Sequence, residues 1–271
     1  MSWFEAGWLG ILQGLTEFLP ISSSAHQLIL GRLANWGDPG AAFTAVTQIG
    51  TELAVLVYFR HDLLRLFKAL LRTLGSRRID DDEERTAWFV ILGSLPIMVI
   101  GFLAKDVIEG GARNLVIVGS TLILGALLLL FADSRATGHR SLHALTMPLA
   151  LALGLGQSLA LIPGVSRSGA TISIALLLGF TRLAATRFSF LLAIPAVLVS
   201  GLYELRKIGG ETVAWGPTLL ATAISFAVGL AVIHWLLKFV ATHNFRPFVV
   251  YRIVLGAVVL GLVAGGVVTA V

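Results

Sequence analysis

Apolar residues run through the chain in long blocks, and polar residues gather in short clusters between them. Six blocks are long enough to cross a bilayer as helices, given the ~20 apolar residues a span needs. They lie near 43–60, 87–104, 115–132, 186–204, 217–238 and 247–268. Two further blocks, about 3–34 and 148–180, are broken in the middle, the first by "FLPISSSAH" and the second by "IPGVSRSGAT". Proline removes a backbone donor and glycine loosens the chain, so each block is expected as two short helices joined by a loop. Irregular backbone at membrane depth is tolerated only inside protein or beside a wet cavity. The expected fold is all-α and polytopic: six transmembrane helices plus two re-entrant helix-loop-helix segments.

The broken blocks resemble each other. An offset of 144 residues places Gln13 on Gln157, Leu15 on Leu159, Ser22 on Ser166 and Ser24 on Ser168. Further on, "LILGALLLL" (122–130) resembles "IVLGAVVLG" (253–261). Two halves follow, about 1–135 and 145–271, each a broken segment and then three spans, within a single membrane domain. Three crossings per half start the second half on the opposite side, which makes the repeat inverted and brings the broken helices together near the midplane.

Composition agrees with the pattern. Of 271 residues, 56% are hydrophobic and only 13% charged, against about 25% charged in a soluble domain; mean hydropathy is +0.89. With no cysteine, a disulfide framework and Cys-ligated metal are excluded. The formal charge of +5 is read by position and does not point to nucleic acid. The topology puts thirteen of the twenty Lys and Arg on one side, and only Arg32, Lys105, Arg113, Arg206 and Lys207 on the other. The richer side is then cytoplasmic and both termini extracytoplasmic. The start "MSWFEAGWLGILQGLTEF" has no basic region and does not read as a cleavable signal. The acidic run "DDDEE" (80–84) reads as solvated surface.

Candidate chemistry lies at the two breaks. Gln13 and Glu17 are four apart and share a helix face, and Ser22, Ser23, Ser24 and His26 follow Pro20. The serines either cap the second short helix or, with Glu17 and His26, form a reactive cluster; an unpaired Glu and His are costly in a membrane segment. In the second break Arg167 offers a rigid fork suited to phosphate or carboxylate. Ser166, Ser168 and Thr171 add hydroxyls, Gly164 and Gly169 permit close backbone approach, and a helix N-terminus favours an anion. Arg167 either grips such an anion or neutralises Glu17 across the repeat. Glu52, mid-span with Gln48 four residues before it, either lines the cavity or pairs with Arg252. His234, His139, His143 and His243 read as interfacial. No helical zinc spacing, P-loop or dinucleotide fingerprint is present. The residues by themselves point to a phosphate-bearing anion held between two re-entrant loops.

The loops resemble the signatures of the undecaprenyl-pyrophosphate phosphatase (bacitracin-resistance) family. "QGLTEFLPISSSAH" looks like its first motif and "PGVSRSGAT" fits its second, Pro-Gly-x-Ser-Arg-Ser-x-x-Thr. The resemblance implies hydrolysis of the polyprenyl pyrophosphate to monophosphate and phosphate in the bacterial plasma membrane, recycling a cell-wall carrier lipid. It implies dependence on a divalent cation, Mg²⁺ or Ca²⁺, with Glu17 as the metal group. It implies catalytic roles for Glu17, Ser23, His26 and Arg167, and binding roles for Gln13, Ser22, Ser24, Gly164, Ser166, Ser168 and Thr171. Gln13 stands where many members have Glu, and Ala25 replaces the usual glycine before His26. The expected partners are the lipid substrate and the bilayer, with a homodimer compatible and no nucleic acid. A transporter or flippase of a lipid phosphate is the alternative, because broken helices in inverted repeats also build transporters. A phosphatidic-acid-type phosphatase would need further basic motifs and an Asp-supported His that the chain lacks.

Overall fold

The computed structural model describes residues 1–34, 36, 41–76, 78–104, 114–207 and 214–270, with the backbone alone at 41–42 and 202–207. Lys105 and Arg113 lie outside the described residues, as do the side chains of Arg206 and Lys207. The first broken block folds as α1 (Trp3–Thr16) and α2 (Ser23–Leu33). There follow α3 (Ala41–Tyr58), α4 (Arg60–Ser76), α5 (Asp82–Leu103) and α6 (Leu115–Arg135). The second broken block folds as α7 (Met147–Ser158), a 3₁₀ turn (Leu159–Leu161) and α8 (Arg167–Leu177). The chain ends with α9 (Arg182–Lys207), α10 (Trp215–Thr242) and α11 (Arg246–Ala264).

Local chemistry sets these boundaries. At the start of α1 the Ser2 hydroxyl accepts from the Glu5 amide (3.2 Å) and the Glu5 carboxylate accepts from the Ser2 amide (2.9 Å), a reciprocal cap that satisfies two otherwise free donors. Asn114 caps α6. Five described helices, α5, α6, α9, α10 and α11, are long and apolar enough to cross a membrane. The remaining expected span, near 43–60, is present as α3 but falls in the shorter apolar class. Its middle carries Gln48, Gly50 and Glu52, the residues that turn toward the protein interior.

Two expectations are corrected between 60 and 84. The expected loop after residue 60 contains α4, a strongly two-faced helix whose Leu64, Phe67, Leu71 and Leu74 are exposed. Apolar residues three or four apart give it one greasy stripe, suited to lying at a membrane surface. The acidic run is not simply solvated either. Asp81 caps α5 by accepting from the Glu84 amide at 2.7 Å, and Glu84 is buried, accepting from Arg72 Nε at 3.3 Å.

Packing is paired across the chain. Helix α1 packs on α10 and α7 on α5, so the first helix of each broken segment lies against a span of the other half. Helix α3 packs on α9 and α6 on α11. Lipid tails are as apolar as the side chains, so close backbone approach and interhelical hydrogen bonds do much of the joining. A Cβ on Gly256 would sit 2.7 Å from the Gly119 carbonyl oxygen, so α6 and α11 meet at that distance only with glycine there. Ser94 of α5 donates to the Leu192 carbonyl (2.8 Å), and Ser225 of α10 to the Thr47 carbonyl (2.8 Å). Phe18, just past α1, packs edge-to-face on Phe190 of α9 with ring centroids 5.5 Å apart. This contact anchors the neighbouring Glu17.

Candidate active site

Both breaks turn on a serine in the same unusual backbone conformation. Ser22 has φ +75° and ψ +100°, Ser166 has φ +73° and ψ +121°. They are the only non-glycine residues with positive φ among those described. Such conformations cost of order 1–3 kcal/mol each and cluster at functional sites. Each is the residue before a helix, so Ser23 opens α2 and Arg167 opens α8. Two helix N-termini, with free amides and positive dipole ends, are thus brought to one place.

There the two loops are bonded through Glu17. Its Oε1 accepts from Arg167, across 150 residues. Its Oε2 accepts from Ser23 Oγ at 2.6 Å and from Gln13 Nε2 at 3.0 Å. Gln13 is held in turn by Gln27, whose Nε2 donates to Gln13 Oε1 at 2.6 Å. A cavity of about 290 Å³ opens on this cluster, with Gln13, Glu17, Ser22, Ser23, Ser24, Ser166 and Arg167 in its wall. Leu28, Ile97, Val118, Leu161 and Pro163 make another part of that wall apolar. The cavity extends to Arg32 at the end of α2 and Thr44 near the start of α3, so it reaches the side on which the chain begins. A ligand with a charged head and an apolar body suits such a lining.

A family model for bacitracin resistance protein BacA matches residues 6–258. The chain belongs to that family. It is 54% identical to undecaprenyl-diphosphatase 2 of Frankia casuarinae, over 98% of this chain and 96% of the relative. It is 52% identical to the undecaprenyl-diphosphatase of Renibacterium salmoninarum, over 100% and 99%. It is 51% identical to undecaprenyl-diphosphatase 3 of Frankia alni, over 100% and 98%.

Several expected site residues of this BacA-family chain have other employment. His26 does not line the cavity. Its Nδ1 donates to the Ser22 carbonyl (2.6 Å), which fixes the tautomer, and its Nε2 accepts from the Tyr251 hydroxyl (2.6 Å). The two ring planes are nearly parallel, 5° apart. His26 therefore braces the strained Ser22 turn. Ser168 donates to the Leu19 carbonyl at 3.0 Å and ties the second loop to the first. Ser166 caps α8, accepting from the Gly169 amide at 3.2 Å, while Ser22 occupies the matching position without a side-chain cap. Thr171 is fully buried and donates back to the Arg167 carbonyl at 2.9 Å. The helix turns its hydroxyl onto its own backbone rather than toward the cavity. Gly164 has φ +90°, and a Cβ there would lie 2.8 Å from the Val118 carbonyl oxygen. It serves the turn and the close approach to α6.

The expected pairing of Glu52 with Arg252 is not made. Arg252, fully buried on α11, donates to five carbonyls. They are Pro20 of the first loop (3.1 Å), Gly164 (3.0 Å) and Val165 (2.9 Å) of the second, and Thr121 (3.4 Å) and Leu122 (3.2 Å) of α6. One guanidinium thus pins both turns from behind: Nε serves Leu122, Nη1 serves Pro20, and the two N–H groups of Nη2 are shared among Thr121, Gly164 and Val165. An arginine inside an apolar block was the visible signal for it. Tyr251 and Gln27 carried no signal beyond their neighbours, Arg252 and His26. Glu52 instead lines a second, small cavity beside Glu17 and Arg167.

Proposed function

We propose that this protein hydrolyses undecaprenyl pyrophosphate to undecaprenyl phosphate and inorganic phosphate, recycling the carrier lipid of cell-wall synthesis. The observation that carries the reading is the Ser23–Glu17–Arg167 chain of hydrogen bonds on the wall of a half-apolar cavity. The undecaprenyl-diphosphatase relatives, alike over nearly the whole chain, name the same substrate.

The steps follow from these side chains. The pyrophosphate enters with its charge toward the two helix N-termini and its polyprenyl tail along the apolar wall. Arg167 keeps one contact with Glu17 and turns its remaining N–H groups to phosphate oxygens. Ser23 Oγ, already donating to a carboxylate, attacks the terminal phosphorus as Glu17 takes its proton. The bond to the bridging oxygen breaks and leaves undecaprenyl phosphate. Water then cleaves the phosphoserine: its oxygen and one proton leave on inorganic phosphate, its other proton returns to Ser23 Oγ, and Glu17 keeps the proton taken in the first step. Arg167 and the helix ends face the oxygens on which charge gathers in the transition state. His26 acts at one remove, by holding the Ser22 turn.

The donor set does not fit a divalent cation held by Glu17. Both carboxylate oxygens already accept from three donors, and Gln13 presents its amide nitrogen rather than its oxygen. No cluster of three or more His, Asp or Glu is found among the described residues. Arg167 is the cation of the chemistry above. All the side chains invoked come from one chain, so the reading needs no second copy. The excess of Lys and Arg at one side supports extracytoplasmic termini; on that reading the larger cavity is met from the same side.

Purified protein in detergent, given undecaprenyl pyrophosphate, should release phosphate at a rate that the Glu17→Gln variant lacks. Binding without release would overturn the reading in favour of a lipid-phosphate carrier.

A further inference from the structure

One carboxylate at membrane depth has no part in the steps above. Glu52 sits midway along α3, next to Thr51, whose hydroxyl lies 3.4 Å from Gln13 Nε2. Its Oε1 is buried and makes no hydrogen bond. An ionisable group at such depth is expensive, and is normally paired or functional. The facing helix α9 offers it no partner: a Cβ on Gly201 would lie 3.4 Å from Glu52 Oε2. Glu52 opens instead onto a cavity of about 30 Å³ whose wall includes Glu17, Arg167, Ser168 and Ser189. That is room for a water molecule with polar partners. Glu17 and Arg167 belong to the walls of both cavities, whereas Ser23 lines only the larger one. The small cavity therefore lies behind the ion pair as seen from the nucleophile.

Proton bookkeeping gives this place a use. In the hydrolysis, the bond from the terminal phosphorus to the bridging oxygen breaks. The water oxygen ends on inorganic phosphate. The lipid keeps the bridging oxygen. A pyrophosphate trianion and water give two phosphate dianions and one proton. Glu17 gains that proton, whether it comes from Ser23 or from water, and must lose it before the next turnover. None of its own partners can take it: Arg167 is protonated already, Gln13 faces it with an amide N–H, and Ser23 is the donor. His26 has both ring nitrogens engaged elsewhere.

We infer that Glu52 is the relay for this proton: water in the small cavity carries it from Glu17 to Glu52, which releases it to bulk between turnovers. The inference rests on the phosphatase reading. Among the described residues, the charged groups facing Glu52 are Glu17, past the end of α1, and Arg167 of α8. Of its described side chains, helix α9 brings only neutral ones to the cavity. On α10, His234 is engaged with Tyr58, further along α3. Arg182 and Arg187, at the start of α9, pair with Asp133 and Asp62. Glu52, Glu17 and Arg167 thus line one cavity with room for a water molecule.

The test compares wild type, Glu52→Gln and Glu52→Asp for phosphate release from undecaprenyl pyrophosphate. It reads the first turnover and the steady state, across pH, in H₂O and D₂O. The Gln variant should keep the first-turnover rate. Its steady-state kcat should fall by about a hundredfold, the lower end of what a positioned proton acceptor contributes. Its solvent isotope effect should grow and its pH profile change, and Asp should restore part of the rate. Melting temperature should hold or rise, since an unpaired buried carboxylate is removed. An unchanged steady state would overturn the inference. So would an equal loss in both phases with the same pH profile and isotope effect, the mark of a purely structural residue. A wild type that releases no phosphate would instead overturn the phosphatase reading itself.

Discussion

The two re-entrant loops share a backbone and divide the chemistry. Ser22 and Ser166 adopt nearly the same strained conformation, each before a short buried helix. The 144-residue offset places Ser23 on Arg167, Glu17 on Leu161 and His26 on Ala170. At the position that opens the helix, one loop carries a hydroxyl and the other a guanidinium. Duplication supplies two helix N-termini and two tight turns. On the proposed reading, one loop supplies the nucleophile and base, and the other the cation. Neither loop is a site alone, because the hydrogen bonds that matter cross between them.

The largest effect should come from cutting that crossing. Arg167→Lys keeps the charge but loses the fork, and Glu17→Gln keeps the shape but loses the base. Each should lower kcat for phosphate release by about 10²–10⁴, with normal expression and membrane insertion. Comparable losses from the two would show that the loops act as one unit. Near-wild-type turnover in both would break the comparison.

Ser23→Ala sharpens the asymmetry between the helix-opening residues. If Ser23 is the nucleophile, activity should fall to background and no phosphoenzyme should be trapped from labelled substrate. A retained measurable fraction would assign attack to water instead.

Arg252 is shared by both loops, so its loss should damage both. Arg252→Met leaves the Pro20, Gly164 and Val165 carbonyls of the two turns without their donor, and unmet buried polar groups cost about 1–3 kcal/mol each. A clearly lower melting temperature and a more than tenfold loss of kcat are expected. Loss of stability with unchanged kcat per folded molecule would show that the turns hold without it.

The smallest effects should separate the two strained serines. Glycine relieves positive φ in both. Ser166→Gly also removes the cap on Gly169, worth a few tenths to about 1 kcal/mol, whereas Ser22 makes no side-chain cap. Ser22→Gly should therefore be neutral or stabilising in a thermal melt, and Ser166→Gly less favourable. Both serines also meet the hydroxyl two residues on, Ser22–Ser24 at 3.3 Å and Ser166–Ser168 at 3.2 Å, so the cap is the difference, and the opposite order would mean that it does not stabilise α8.

Much of this protein is legible in its sequence, and the reason is the solvent. Lipid offers no hydrogen bonds to backbone, so long apolar blocks have to be helices, and a Pro- and Gly-containing interruption has to be buried or wet. The broken segments, the repeat, and the roles open to Glu17 and Arg167 follow from that constraint. Charge cost at depth marked Arg252 and Glu52 as residues needing an explanation. Which partner each one has was decided only by the tertiary structure. Arg252 found five carbonyls from three segments, not the carboxylate that charge alone suggests. Thr171 lies four residues beyond Arg167 in the same helix, yet its hydroxyl turns onto the Arg167 carbonyl. His26 was drawn to Tyr251, 225 residues away. The helical period states which residues share a face, but helix rotation and packing set what that face meets. The atoms that meet at this site come from α1, α2, α8 and α11, and their contacts exist only once those helices have packed.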